Sequence, residues 1–219
     1  MTSGRIIALL MAAGRGSRFD PSGEQDKLLA LVDSIPVVVR AAASVSDCDH
    51  CVAVIAPDKP QLLQALSQTR CERITAADAG LGMGHSIAAG ARHVARMPDV
   101  AAVLIMLGDM PDLQRNTVRR LIECFKSQAA GTLPEPLRII APRYQGQRGH
   151  PVIFGAAHLP ALCSLRGDQG AASLLRSLPI ETIAVDDAGT IRDIDTREDL
   201  TVAGGGLDRR QQTPSWHKP

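Results

Sequence analysis

The chain has 219 residues and a formal net charge of +1, enough for one sizeable domain with its own core. Near-neutral charge removes the electrostatic case for nucleic acid or an anionic membrane as partner. Three Phe, one Tyr and one Trp are too few for a base-stacking surface, and no apolar run reaches the ~18 residues of a membrane-spanning helix.

The first predicted element is the apolar run at 6–11, read as a strand buried on both faces. It runs into Ala12-Ala13-Gly14-Arg15-Gly16-Ser17-Arg18-Phe19, with Lys27 beyond. Small residues let backbone N–H groups approach a ligand closely, and Arg15, Arg18 and Lys27 surround them with positive charge. That combination suits a triphosphate. The P-loop string is missing, Phe19 stands where a dinucleotide fingerprint needs its third glycine, and no kinase catalytic-loop signatures follow. An arginine-rich loop after the apolar run is no signal-peptide cleavage site, so a cytoplasmic protein is expected.

Further along, strands are expected at 51–56, 73–75, 100–107, 138–142 and 181–185, and helices at 36–45, 59–68, 85–95, 115–128 and 170–177. This alternation predicts an α/β fold: a single domain over 1–203, with a mostly parallel central sheet and helices on both faces. Residues 144–154 are expected to form a loop of fixed shape, and 204–219 a flexible C-terminal tail. The odd count of five cysteines fits reduced thiols. Cys48-Asp49-His50-Cys51 has half the ligands of a zinc site and no second half, and reads as a chance pair at a strand start.

In open α/β sheets ligands bind at the carboxyl ends of the strands, and the chemically suggestive residues follow the strand runs. Asp78 and the glycine-dense 79–86, with Gly82 and Ser86, follow the third. Ser86 reads equally as a donor to a nucleotide or as a helix cap. Gly108-Asp109-Met110-Pro111 follows the fourth. An Asp there, beside a triphosphate, suits Mg²⁺; the competing role is capping the next helix, for which Asp112 is a rival. Alternation puts Asp193 and Asp195 on the same side of an extended segment. Asp195 reads equally as a metal ligand with Asp109 and as a cap of a helix starting near Thr196. In the mid-chain loop Gly149-His150-Pro151, with Arg143 and Arg148, has the positive character an anionic second substrate needs. Gly167-Asp168-Gln169-Gly170 makes a further turn that bounds the same pocket.

Taken together, the motifs at 11–19, 27–29, 80–86, 108–111, 149–151 and 193–196 resemble the molybdenum cofactor nucleotidyltransferases, and more closely their cytidylyltransferase branch. The resemblance runs in order to about Leu200. It implies a Rossmann-like nucleotidyltransferase domain that uses CTP and Mg²⁺ and transfers CMP to molybdopterin or the molybdenum cofactor, with a recipient molybdoenzyme as a further partner. It implies Arg18, Lys27 and Asp109 as catalytic residues, and Asp109 with Asp195 as metal ligands. Ala12, Ala13, Gly14, Arg15, Gly16, Ser17, Asp78, Gly82 and Ser86 would contact the nucleotide, and Gly149, His150 and Pro151 the acceptor. Cytidylyl members have Ala-Ala-Gly in the first loop where guanylyl members have Ala-Gly-Gly, so Ala13 points to a pyrimidine. Two departures stand out: residues 19–26 form a longer, more acidic link than is usual, and Gly84-His85 stands where small hydroxyl residues are commoner. A cytidylyltransferase for a small sugar or polyol phosphate, and a non-catalytic nucleotide-binding accessory protein for molybdoenzyme maturation, are the alternatives.

Overall fold

A computed structural model describes residues 4–14, 16–127 and 133–203. In chain order it contains β1 (Arg5–Ala12), a 3-10 turn (Lys27–Leu29), the short strands β2 (Leu31–Val32) and β3 (Ile35–Pro36), α1 (Val37–Ser44), β4 (His50–Ile55), α2 (Pro60–Leu66), β5 (Glu72–Thr75), α3 (Met83–Val94), β6 (Val100–Leu107) and α4 (Arg115–Lys126). Then follow β7 (Ile139–Tyr144), β8 (Gln147–Arg148), β9 (Val152–Gly155), α5 (Leu159–Cys163), α6 (Ala172–Ser177), β10 (Glu181–Ala184) and α7 (Arg197–Val202).

The main sheet has the order β10-β7-β9-β6-β1-β4-β5, with β8 paired on β7. Strand β1 is parallel to both β4 and β6, β4 to β5, and β7 to β10, whereas β9 runs antiparallel between β6 and β7. From β1 the chain passes to β4 and β5 on one side and then crosses to β6 on the other. The crevice at the carboxyl ends of β1 and β6 is therefore a topological switch point, where such sheets bind ligands.

The unbroken apolar character of β1 follows from its position. Ile6, Ala8 and Leu10 pack with Val37 and Val38 of α1 and Val118, Leu121 and Phe125 of α4. Ile7, Leu9 and Met11 face the other way, against Ile87, Ala91 and Val94 of α3 and Leu162 of α5. From Ile6 on, alternate residues feed opposite cores, so only Arg5 at the strand's start carries a polar side chain. No helix among the described residues is long and apolar enough to cross a membrane.

The expected loop at 144–154 is corrected in part: β8 and the beginning of β9 lie within it. The Val-Ile-Phe-Gly of β9 is a four-residue strand whose pairing comes wholly from distant neighbours. Cys51 of the Cys48–Cys51 pair turns to Cys71 on the neighbouring chain segment, Sγ to Sγ 2.6 Å. Burial, with Asp49 and Asp47 adding, pushes the Cys48 thiol up to about 12.

Candidate nucleotide and metal site

The site is assembled at the switch point from three segments. The first is the loop after β1. Gly16 is in the left-handed region (φ 64°), and its carbonyl accepts the N–H groups of Phe19 and Asp20 at 2.9 and 3.2 Å. The link at 19–26 is well organised. Asp20 accepts the Ser22 hydroxyl at 2.8 Å and the Gln25 N–H at 2.7 Å, and Phe19 is buried, with the Arg197 guanidinium 5.9 Å from its ring centre. Asp26 then caps the 3-10 turn through the Leu28 N–H (3.0 Å) and accepts Lys59 Nζ (3.0 Å). The length and acidity of this link are used up in shaping the turn that presents Lys27.

The second segment is the end of β6. Gly108 donates its N–H to the Met11 carbonyl at 2.9 Å, and a Cβ on it would stand 2.8 Å from that oxygen. Only glycine lets the two strand ends come this close, and Asp109 is thereby delivered beside the first loop. The third segment is 187–195. Asp187 is buried and accepts the Gln114 N–H (3.0 Å), the Thr117 hydroxyl (2.6 Å) and the Gly189 N–H (2.9 Å). The same stretch continues to Ile194, whose N–H donates to the Asp109 carbonyl at 2.8 Å, which sets Asp193 and Asp195 beside Asp109.

Lys27 Nζ lies 2.6 Å from Asp109 Oδ2 and 2.9 Å from Asp195 Oδ1, and Arg18 reaches Asp195 at 2.8 Å. Burial works against the lysine's charge, but the two carboxylates outweigh it and hold its pKa above the ordinary lysine value. One oxygen each from Asp109, Asp193 and Asp195 lie within 4.8 Å of one another. Asp109 Oδ1 is buried without a hydrogen-bond partner, an expensive state that a ligand would relieve. Burial, then the charges of Asp195 and Asp109, raise the Asp193 carboxyl. Three converging carboxylates, one of which has an orphaned oxygen, are a hard-oxygen donor set of the kind that Mg²⁺ or Mn²⁺ takes.

The helix-capping alternatives resolve on geometry. Helix α4 starts at Arg115 with Gln114 at its N-cap, and the Gln114 N–H is taken by Asp187. Helix α7 is capped by Thr196 and Asp199 in a reciprocal box, which leaves Asp195 for Lys27 and Arg18. Ser86 does not cap α3; Gly82 does.

The remaining expected positions group as follows. Ala12, Ala13, Gly14, Gly16, Ser17 and Arg18 form the loop beside Asp109, while Arg15 lies outside the described residues. Gly82 (φ 118°) and Gly84 stand at the start of α3 against the 166–168 turn, where the Gly84 N–H donates to the Gly167 carbonyl at 2.8 Å. Asp78 and His85 line a groove of about 310 Å³ between β5 and α3, and Ser86 is buried within α3. On the other side of the cleft, the Gly149 N–H donates to the Pro142 carbonyl (3.0 Å) and the His150 N–H to the Thr190 carbonyl (2.8 Å), with a cis bond between His150 and Pro151. His150 Nδ1 is sealed from solvent without a partner. Burial lowers its pKa, so the ring is neutral near pH 7, although the Asp109 charge pulls the other way. Arg143 and Arg148 face each other across the β7–β8 hairpin, exposed.

Two contributors escape a sequence reading. Asp187 is one. The other is Arg40, buried in α1, whose guanidinium joins both sides of the site. It donates to Val32 O at 3.4 Å and Asp33 at 2.9 Å in the hairpin after Lys27, and to Pro111 O at 3.4 Å, with Asp112 at 3.6 Å, in the loop after Asp109. Arg40→Met should therefore let the two loops drift apart. The expected result is a kcat lower by roughly 10- to 100-fold with little change in substrate KM, read by steady-state kinetics.

Residues 8–183 match the MobA-like NTP transferase domain. The purine catabolism protein PucB of Bacillus subtilis is 27% identical over 214 residues, covering 92% of this chain and 97% of PucB. The bifunctional enzyme IspD/IspF of Brucella anthropi is 28% identical over 127 residues, 56% of this chain and 30% of that protein. Among solved structures, Rv0371c of Mycobacterium tuberculosis superposes with a TM-score of 0.75 at 24% identity, covering 92% and 98% of the two chains. A manganese complex of the same protein gives 0.71 at 23% identity, covering 90% and 97%. These superpositions support the fold.

Proposed function

The chain belongs to the MobA-like NTP transferase domain family and is a nucleotidyltransferase, and from that premise we propose that it transfers CMP from CTP to the terminal phosphate of molybdopterin or the molybdenum cofactor. The observation that carries this reading is the convergence of Lys27, Asp109 and Asp195, with the glycine loop after β1 on one side and Gly149-His150-Pro151 on the other.

The acceptor's terminal phosphate is already an anion, so the step needs no strong general base. Its oxygen attacks the α-phosphorus of CTP; a new P–O bond forms there, the bond to the β-phosphate oxygen breaks, and pyrophosphate leaves with the electron pair. The backbone N–H groups of the 12–17 loop, with Arg18 and Lys27, hold the triphosphate and neutralise the departing charge. Asp109 and Asp195, with Asp193 beside them, would hold Mg²⁺, which when bound offsets charge at the α-phosphate oxygens. Gly149, His150 and Pro151 would orient the acceptor. His150, being neutral, can approach an anion without adding a buried charge.

Purified protein incubated with Mg²⁺ and molybdopterin is expected to release pyrophosphate from CTP well above the other nucleoside triphosphates. Release only with sugar or polyol phosphates would favour the alternative acceptor class, which the partial likeness to IspD/IspF supports. Release with no acceptor would sink the transfer reading. Nucleotide choice rests on Ala13, whose Cβ would crowd a purine. Ala13→Gly should shift the CTP:GTP ratio of kcat/KM toward GTP by roughly 10-fold, measured by the same assay; an unchanged ratio would remove Ala13 as the determinant. A cytoplasmic location and a recipient molybdoenzyme complete the proposal.

A further inference from the structure

We propose that the Lys27 ammonium competes with the divalent cation for Asp109 and Asp195, and that a triphosphate, by drawing the ammonium away, strengthens the cation's hold on them. The inference rests on the reading of this cluster as the metal centre and adds an order of events to it.

The ammonium already engages two of the carboxylates that the cation would use. Nζ is within hydrogen-bond distance of Asp109 Oδ2 and Asp195 Oδ1 together, and these two groups belong to the carboxylate set on which a cation would converge. An ammonium at that point and a dication held by the same two carboxylates would repel strongly in a site so little exposed, the Lys27 side chain being 10% accessible. The lysine has somewhere else to go. It sits on its own 3-10 turn facing the glycine loop, where the β- and γ-phosphates are placed by the proposed function. Arg18 differs: it meets Asp195 from the solvent side with 76% of its side chain accessible, so it screens the site without filling it. The consequence is positive coupling. Phosphates that capture Lys27 strengthen cation binding, and by reciprocity the cation strengthens triphosphate binding by the same factor.

The test is Mn²⁺ binding to the full chain without nucleotide, followed by the electron paramagnetic resonance signal of free Mn²⁺. Lys27→Met keeps the length of the stem and removes the ammonium. It is expected to bind Mn²⁺ about 10-fold or more tighter than the wild type, while Arg18→Gln stays within about 3-fold. Equal or weaker binding by Lys27→Met overturns the proposal. So does equal tightening by both variants, which would report net charge rather than occupancy, and so does failure of every form to bind Mn²⁺. If Lys27→Met does not fold, the wild type supplies the answer. Saturating Mn²⁺ should raise acylation of the Lys27 amine by an N-hydroxysuccinimide ester several-fold, read by peptide mass spectrometry, and an unchanged yield overturns the proposal. A protein that releases no pyrophosphate but shows the tightening loses the transfer reading and keeps this one. Turnover with equal Mn²⁺ affinities does the reverse.

Discussion

Asp109→Asn is expected to lower kcat for pyrophosphate release by about 10³-fold or more, with the triphosphate KM changed only a few-fold. The amide keeps the volume of the carboxylate, so the packing of β6 against β1 is undisturbed, and Lys27 retains Asp195 at 2.9 Å. On the proposed reading, the substitution removes the charge that would hold a cation near the reacting phosphorus. It also changes the chemistry of Oδ1, the buried oxygen without a protein partner. Circular dichroism and the melting temperature should match the wild type closely. A variant that folds and keeps kcat within about tenfold would show that this carboxylate stands away from the bond being made.

Gly149→Ala should act on the opposite side of the cleft. A Cβ there would lie 2.3 Å from the Thr190 carbonyl oxygen and 2.8 Å from its carbon. Both are backbone atoms that cannot rotate aside, so the segments must separate. The hydrogen bond from the His150 N–H to the same carbonyl, 2.8 Å long, is lost with the contact. Overpacking of this kind costs about 1–3 kcal/mol, and the lost bond about 1 kcal/mol more. The melting temperature should fall by roughly 5–10 °C. Because His150 moves while Lys27 and Asp109 do not, the acceptor KM should rise at least ~10-fold with the triphosphate KM within about 3-fold. A rise in the triphosphate KM instead would place this motif on the nucleotide side.

Legibility in the sequence followed the range of the interactions. Strand β6 is where its apolar run is, Val100–Leu107, and β1 extends its expected run by one residue at each end, because strands buried on both faces declare themselves locally. Strand β9 does not: four residues between two partners from elsewhere in the chain carry no period of their own. The same holds for the caps. Asp187 serves Gln114 from 73 positions away, which no local pattern shows. Asp195 reads two ways in the sequence, and only the fold shows Asp199, not Asp195, accepting the Thr196 N–H. Arg40 reads as an ordinary polar position on a helix, and only the folded chain shows it joining the loops after Lys27 and Asp109. The first glycine loop and Asp109 can be picked out locally, because each follows an apolar run at a strand end where open sheets bind ligands; Lys27 follows the acidic link 19–26 instead, and only the fold brings it to Asp109.

The most direct measurement uses CTP with sulfur replacing one non-bridging oxygen on the α-phosphate. If a cation held by Asp109 and Asp195 touches that phosphate during transfer, one diastereomer should turn over poorly with Mg²⁺ and recover with the softer Mn²⁺ or Cd²⁺. Equal rates with Mg²⁺ for both diastereomers and for CTP itself, unaffected by the change of metal, would contradict a metal-bound α-phosphate at this site.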